Sequence, residues 1–263
     1  MKTIRPVFAA IVQAGRTCAR GLLDLVLPDV CCGCGGQLAQ DNGLCPSCSL
    51  RLLALIATPY CPRCGASRGP HVPVSADGCN VCPQPMPRYD RIVRLGPYEP
   101  PLRPIIREMK FRRQEAMLRR MGELLAQALE GQCPDDDFDL VMPVPMHWRR
   151  RITRGGDHAR SLGRCLAREL QLPLGDELIR VRHTPQQAHL SRTVRLENIR
   201  GAFSVVRPRD LASAKILLVD DVSTTGATAN EAARALLDAG ASRVTLAVIA
   251  KAQPPRAYAQ ASV

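Results

Sequence analysis

Four Cys-x-x-Cys pairs fall within one short stretch: Cys31/Cys34, Cys45/Cys48, Cys61/Cys64 and Cys79/Cys82. A tight turn inside each pair aims both thiolates at one point. Two pairs complete a tetrahedral all-sulfur shell of the kind that holds Zn2+. Four sulfurs leave no open position for a substrate, so the implied chemistry is structural rather than catalytic. The intervening lengths suit two tandem ribbons, Cys31/34/45/48 and Cys61/64/79/82, each with one zinc ion. A crossed pairing uses the same ligands and stays open at this point. Gly33, Gly35, Pro46, Pro62 and Gly65 supply turns around the sulfurs. Residues 37–43 hold too few large apolar side chains for a core, so metal must supply much of the folding free energy. Cys32 is a spare thiol that could compete with its neighbour for metal. Cys18, Cys133 and Cys165 stand alone and read as ordinary small residues.

A second string has different chemistry. Ile216–Val219 is an apolar strand that ends in Asp220 and Asp221. Val222, Ser223, Thr224, Thr225, Gly226, Ala227 and Thr228 then lead into a helix. In an open parallel sheet, ligands bind at the carboxyl ends of strands. The hydroxyls of Thr224, Thr225 and Thr228, the glycine and the helix N-terminus suit an anion. Two adjacent acids repel phosphate and suit vicinal sugar hydroxyls or hydrated Mg2+. Together they describe a site for a phosphorylated ribose. A plain helix cap would need only one of these residues.

These residues require elements to carry them. From Arg91 onward strands and helices alternate. Arg91–Tyr98 reads as a strand, and Leu102–Phe111 and Glu115–Leu129 as helices. Met117, Leu118, Met121, Leu124, Leu125 and Leu129 share one face of the second helix. Asp139–Met142 is a short buried strand that stops at Pro143–Met146. His158–Leu170 is a helix, Ser191–Ile199 a short one, Ala229–Ala239 another, and Arg243–Ala250 a strand. The alternation predicts an α/β fold, a parallel sheet flanked by helices. Pro83–Tyr89, with Pro83, Pro85 and Pro87, reads as the linker from the metal module. The organisation is therefore an amphipathic amino-terminal helix (1–30), a ribbon module (31–87) and an α/β domain (88–253). Val7, Ile11, Leu22, Leu23, Val26 and Leu27 mark the apolar face of that first helix.

Composition narrows the function classes. The chain of 263 residues is 46% hydrophobic and 23% charged, which excludes wholesale disorder. No apolar run reaches the ~20 residues of a membrane helix. The net charge of +12 favours anionic partners such as phosphates or nucleic acid. Aromatics are only 3%, which disfavours tight binding of single strands by base stacking. Gln13, Arg16 and Arg20 interrupt the early apolar residues, so a signal peptide is not expected. With reduced, metal-pairing thiols, the expected location is the cytoplasm, with the inner face of the membrane as one place of action.

Residues 216–228 resemble the phosphoribosyl-pyrophosphate (PRPP) signature of type I phosphoribosyltransferases. The resemblance implies a parallel sheet with a small hood, Asp220 and Asp221 on the ribose hydroxyls, and the Thr224–Thr228 loop on the 5'-phosphate. Pro143, Val144 and Pro145 resemble the pyrophosphate loop of that family. Over most of the chain, about Asp24 to Lys251, the sequence is similar to the ComF family, which joins Cys-x-x-Cys pairs to such a domain. Tyr98, Lys110-Phe111, Val144-Pro145, Arg154-Gly155, Thr184, Gln187, Leu190, Arg195, Asn198 and Phe203 look like its landmarks. The family continues its Arg-Gly with an aromatic, Asn and Gln, where this chain has Gly156, Asp157 and His158.

Three functions follow. The ComF resemblance implies PRPP binding, with Mg2+, in the uptake or use of DNA. Single-stranded DNA and a membrane DNA channel or helicase would be partners. The runner-up is a transferase passing ribose 5-phosphate to a nucleobase or amine, with Asp220, Asp221, Lys110 and Arg154 as catalytic candidates. In that reaction an oxocarbenium-like transition state is stabilised by positioning and charge. Arg149, Arg150 and Arg151 could help close over pyrophosphate. His147, Trp148 and His158 lie near the same loop. The third is a regulator that senses PRPP and docks through the zinc module.

Overall fold

The computed structural model describes residues 30–38, 43–69, 78–112, 115–146, 157–182, 198–206 and 211–253. The amino-terminal helix expected at 1–30 lies outside them. So does the helix expected at 191–199, except for its last two residues, which are helical.

Four strands form one parallel sheet: β1 (Arg91–Pro97), β2 (Leu140–Pro143), β5 (Lys215–Ser223) and β6 (Arg243–Lys251). The spatial order is β1-β6-β5-β2. A short antiparallel pair, β3 (Leu178–Arg180) and β4 (Phe203–Val205), stands beside it. Sequence periodicity does not pick out this pair, because three-residue strands are too short to show a pattern.

The sheet is central because its strands are apolar on both faces. In β5, Leu217 and Val219 join one core cluster while Ile216 and Leu218 join another. The first cluster takes α2 (Leu102–Arg112), α3 (Glu115–Gln132) and α4 (His158–Glu169) through Ile105, Met121, Leu125, Leu129, Leu162 and Leu166. The second takes α5 (Ala227–Asp238), through Ala229, Ala232, Ala233 and Leu236, and the β3–β4 pair through Leu178 and Phe203. Alanines on α5 let that helix lie close to the strands.

Strand β5 is longer than its apolar run. It continues through Asp220 and Asp221 to Ser223, and its last residue pairs with Lys251 of β6. The expected strand end at the two acids is thus corrected. The neighbouring strand offers backbone partners beyond Val219, and a ladder needs no apolar side chain to continue.

The ribbon module holds a helix that was not anticipated, α1 (Pro46–Ile56), begun by a proline in its first turn. Leu52 of α1 is buried in the first core cluster, with Leu55 and Ile56 packed against it. The carboxyl end of the expected linker is packed: Pro87 is buried, and Tyr89 is 2% exposed and belongs to the second cluster. Among the described residues, no helix is long and apolar enough to cross a membrane.

Candidate functional site

The eight expected sulfurs fall into two groups, Cys31/34/45/48 and Cys61/64/79/82, each with all its sulfurs within 4.8 Å of one another. The tandem pairing therefore describes the folded chain, and the crossed one does not. A zinc ion with bonds of ~2.3 Å to four sulfurs sets them ~3.8 Å apart. Cys34 and Cys45 lie 3.8 Å apart, and Cys61–Cys82 and Cys64–Cys79 are each 3.7 Å. Both groups fit structural zinc. Cys32 does not compete for it: this residue turns into the apolar core and is 3% exposed. The adjacent position in a tight turn points the other way from the ligand beside it.

Backbone amides reinforce the thiolates. Cys45 N donates to Cys31 Sγ at 3.3 Å, and Cys79 N to Cys82 Sγ at 3.2 Å. The Ser47 hydroxyl holds the Cys45 thiol down to about 6. Hydrogen bonding with Cys64 holds Cys61 down to about 5 and pushes Cys64 far up. Burial pushes up Cys48. Zinc binding replaces this sharing of protons with a shared cation.

The second site forms where two adjacent strands end. β2 pairs with β5 up to Pro143 opposite Val219, and Val144 N donates to the Val219 carbonyl at 2.8 Å. The turn Pro143, Val144 and Pro145 is thereby laid beside Asp220. Asp221 N donates to Asp220 Oδ1 at 2.9 Å, and both acids are half-buried. Beyond Val222 and the buried Ser223, the exposed Thr224 and half-buried Thr225 lead to Gly226, whose φ is +81°. That left-handed turn favours glycine and opens α5. Thr225 Oγ1 accepts from Ala227 N at 3.3 Å, and Thr228 follows on the first turn of α5. The arrangement sets two carboxylates on one side of a hydroxyl-bearing loop at a helix N-terminus. It can hold a sugar by its hydroxyls and a phosphate by amides.

Lys110 is on α2. Arg149, Arg150, Arg151, Arg154, His147 and Trp148 lie outside the described residues. His158 is the first residue of α4, and Asp157 caps that helix by accepting from Arg160 N at 3.1 Å.

Two residues against the loop were missed. A Cβ on Gly226 would stand 3.4 Å from the Tyr89 hydroxyl. Lys251, 9% exposed, donates to the Thr224 carbonyl. Tyr89 carried no signal, lying in a proline-rich stretch. Lys251 did carry one, as a rare lysine at the carboxyl end of the strand next to β5.

Fold and site define a class: a phosphoribosyltransferase-type α/β domain preceded by two four-cysteine ribbons. The double zinc ribbon domain family matches residues 22–84, and the phosphoribosyl transferase domain family residues 157–260. The chain is 32% identical over 228 residues to Competence protein F of Haemophilus influenzae, covering 84% of this chain and 96% of that protein. It is 34% identical over 230 residues to DNA utilization protein YhgH of Escherichia coli K12, with the same coverage. Competence protein ComFC of Bacillus subtilis is 29% identical over 208 residues, 77% of this chain and 81% of that protein. The chain belongs to the ComF family.

Proposed function

We propose that this protein binds PRPP with Mg2+ and acts in the uptake of DNA or the use of imported DNA. One observation carries the ligand reading: the turn 143–145 and the string 220–228 converge at the carboxyl ends of neighbouring parallel strands. Asp220 and Asp221 take the ribose hydroxyls. The amides and hydroxyls of Ser223, Thr224, Thr225, Gly226, Ala227 and Thr228 take the 5'-phosphate, and Pro143–Pro145 border the pyrophosphate. Mg2+ would neutralise the pyrophosphate beside the two acids. Lys110 and Arg154 are candidates for the remaining charge. The DNA role follows the names of the relatives, Competence protein F and DNA utilization protein YhgH. The net charge of +12 suits an incoming single strand at the inner face of the membrane, passed on from a channel or helicase.

The match to a phosphoribosyl transferase domain favours a second reading, transfer of ribose 5-phosphate to a base or amine. A phosphorus NMR time course with Mg2+ and PRPP, with and without nucleobases, separates the two. PRPP lines that broaden with protein and stay intact support binding without turnover. Pyrophosphate formed only with a base establishes the transferase. Asp220→Ala with Asp221→Ala should weaken PRPP binding at least about 100-fold while leaving thermal unfolding nearly unchanged, because both acids are half-exposed. Unchanged affinity would sink the site assignment.

A further inference from the structure

The second ribbon is fastened to the PRPP loop along two lines of contact. On one line, Gln253 Oε1 accepts from Ser67 N at 3.2 Å and Gln253 Nε2 donates to the Gly65 carbonyl at 3.5 Å. Two residues earlier, Lys251 runs past the same turn: a Cβ on Gly65 would lie 3.2 Å from Lys251 Cγ. Gly65 directly follows the metal ligand Cys64, so the ribbon turn forms one wall of the channel for the lysine stem. The Lys251 ammonium then donates to the Thr224 carbonyl and, at 3.4 Å, to the Ala252 carbonyl. Ala252 N donates to the Ser223 carbonyl at 2.9 Å.

On the other line, Arg63, between Cys61 and Cys64, donates to the carbonyls of Pro87, Tyr89 and Asp90. Arg88 N donates to Asn230 Oδ1 at 2.6 Å on the first turns of α5, and the Tyr89 hydroxyl stands against Gly226.

Chemistry gives the first line a consequence. In a trans peptide the carbonyl and the following N–H point in opposite directions. An ammonium that holds the Thr224 carbonyl therefore turns the Thr225 N–H away from itself. The buried cation also adds positive potential close beside the loop, which favours an anion there.

We propose that Lys251 is a positioning residue for the loop 224–226, and that the second zinc ribbon sets the loop's affinity for a ribose 5-phosphate through Gln253 and Lys251. The proposal rests on the PRPP reading above. The ribbon thereby becomes a part of the ligand site, not only a fold element. A chain that loses the second zinc loses the channel wall and with it the loop geometry.

The test uses the full chain with both zinc ions, titrated calorimetrically with Mg2+ and PRPP, and separately with inorganic phosphate. Lys251→Met keeps the stem and removes the ammonium. It should weaken PRPP binding about 10- to 100-fold, the loss of one charged hydrogen bond, and weaken inorganic phosphate as well. Lys251→Arg should restore most of the affinity. Gln253→Ala should weaken binding about 3- to 10-fold in the parent chain and add nothing in the Lys251→Met background. Zinc content should stay at the parent value in all of them. A Lys251→Met chain that folds and binds like the parent overturns the positioning role. Full affinity in Gln253→Ala, which reads the ribbon's share even if Lys251→Met fails to fold, overturns the coupling. A parent chain that binds no PRPP overturns the site assignment itself, and this is seen before any variant is made.

Discussion

The two ribbons begin as the same local structure and end in different settings. In the first, Cys31 N donates to the Gly36 carbonyl and Gly35 N to that of Cys31. In the second, Cys61 N donates to the Ala66 carbonyl and Gly65 N to that of Cys61. The bridges Val30–Gln37 and Tyr60–Ser67 close both loops, and Gly35 and Gly65 share a φ of +75°. The second halves then diverge. Cys45 and Cys48 sit at the start of a helix, whereas Cys79 and Cys82 sit on a turn. The first ribbon leaves Cys34 exposed, while the second buries Cys61 and Cys64. The same Cys-x-x-Cys turns thus make the same four-sulfur group across intervals of different length, and the surroundings decide how each group is held.

The second ribbon is joined to the sheet edge. Ile92 N of β1 donates to the Pro62 carbonyl at 2.7 Å. Arg94, 1% exposed, donates to Ser67 Oγ at 2.7 Å and stacks over Tyr60 with its guanidinium 4.5 Å from the ring centre. The first ribbon touches the sheet through the apolar side of α1 and leaves Leu50 and Leu53 of that helix exposed. Polar contacts fix geometry, whereas an apolar contact tolerates small shifts, which is the physical basis of the coupling proposed between the second ribbon and the loop 224–226.

Breaking each cage in turn gives the largest contrast. Cys61→Ser should unfold or aggregate the protein, because a buried ligand is lost and the edge of β1 loses its partner. Cys34→Ser should leave a folded chain with the second zinc retained, at a cost of a few kcal/mol, on the order of 3. Metal analysis with thermal unfolding checks both. A Cys61→Ser chain that keeps both zinc ions would end the comparison.

A smaller effect separates docking from metal binding. Arg94→Met removes the contact to Ser67 and the stacking on Tyr60 while leaving all eight sulfurs. It should cost about 2–4 kcal/mol and speed zinc release from the second ribbon only. Release followed with a chromogenic chelator reads this, and equal acceleration at both sites would show that docking is not specific to one ribbon.

The smallest expected effect is a control whose partners, Arg234 and Gly201, belong to neither cage. Glu231 on α5 is 6% exposed, pairs with Arg234 at 2.7 Å and accepts from Gly201 N at 2.5 Å. Burial acts to raise its pKa, but these partners outweigh it and hold the carboxyl below its ordinary 4.5. The stabilisation is therefore complete above the ordinary value and is lost as pH falls through the lowered one. Glu231→Gln should cost about 1–2 kcal/mol at neutral pH, flatten the acid limb of the stability profile and leave both zinc release rates unchanged. Urea unfolding at a series of pH values measures the first two effects.

Much of this molecule was legible in its sequence for local reasons. Cys-x-x-Cys spacing is a property of one turn, so the ligand identities could be read without knowing the fold. The apolar face from Met117 to Leu129 and the alternation of strand and helix are likewise periodic patterns in single segments. The string from Asp220 to Thr228 carried, in its residue types alone, the proposal of a phosphorylated-ribose site. Long-range contacts decided the rest. Which pairs share a metal, where β5 stops, and that Cys32 faces the core depend on neighbours distant in sequence. The contacts of Tyr89 and Lys251 depend on the second ribbon packing against Ile92 of β1 and Lys251 of β6. The chain order of motifs marked a Cys-x-x-Cys module and a candidate ligand site; only packing determined that they touch, because the side chains that join them, Arg63, Lys251 and Gln253, bond to backbone carbonyls and amides that no sequence pattern announces.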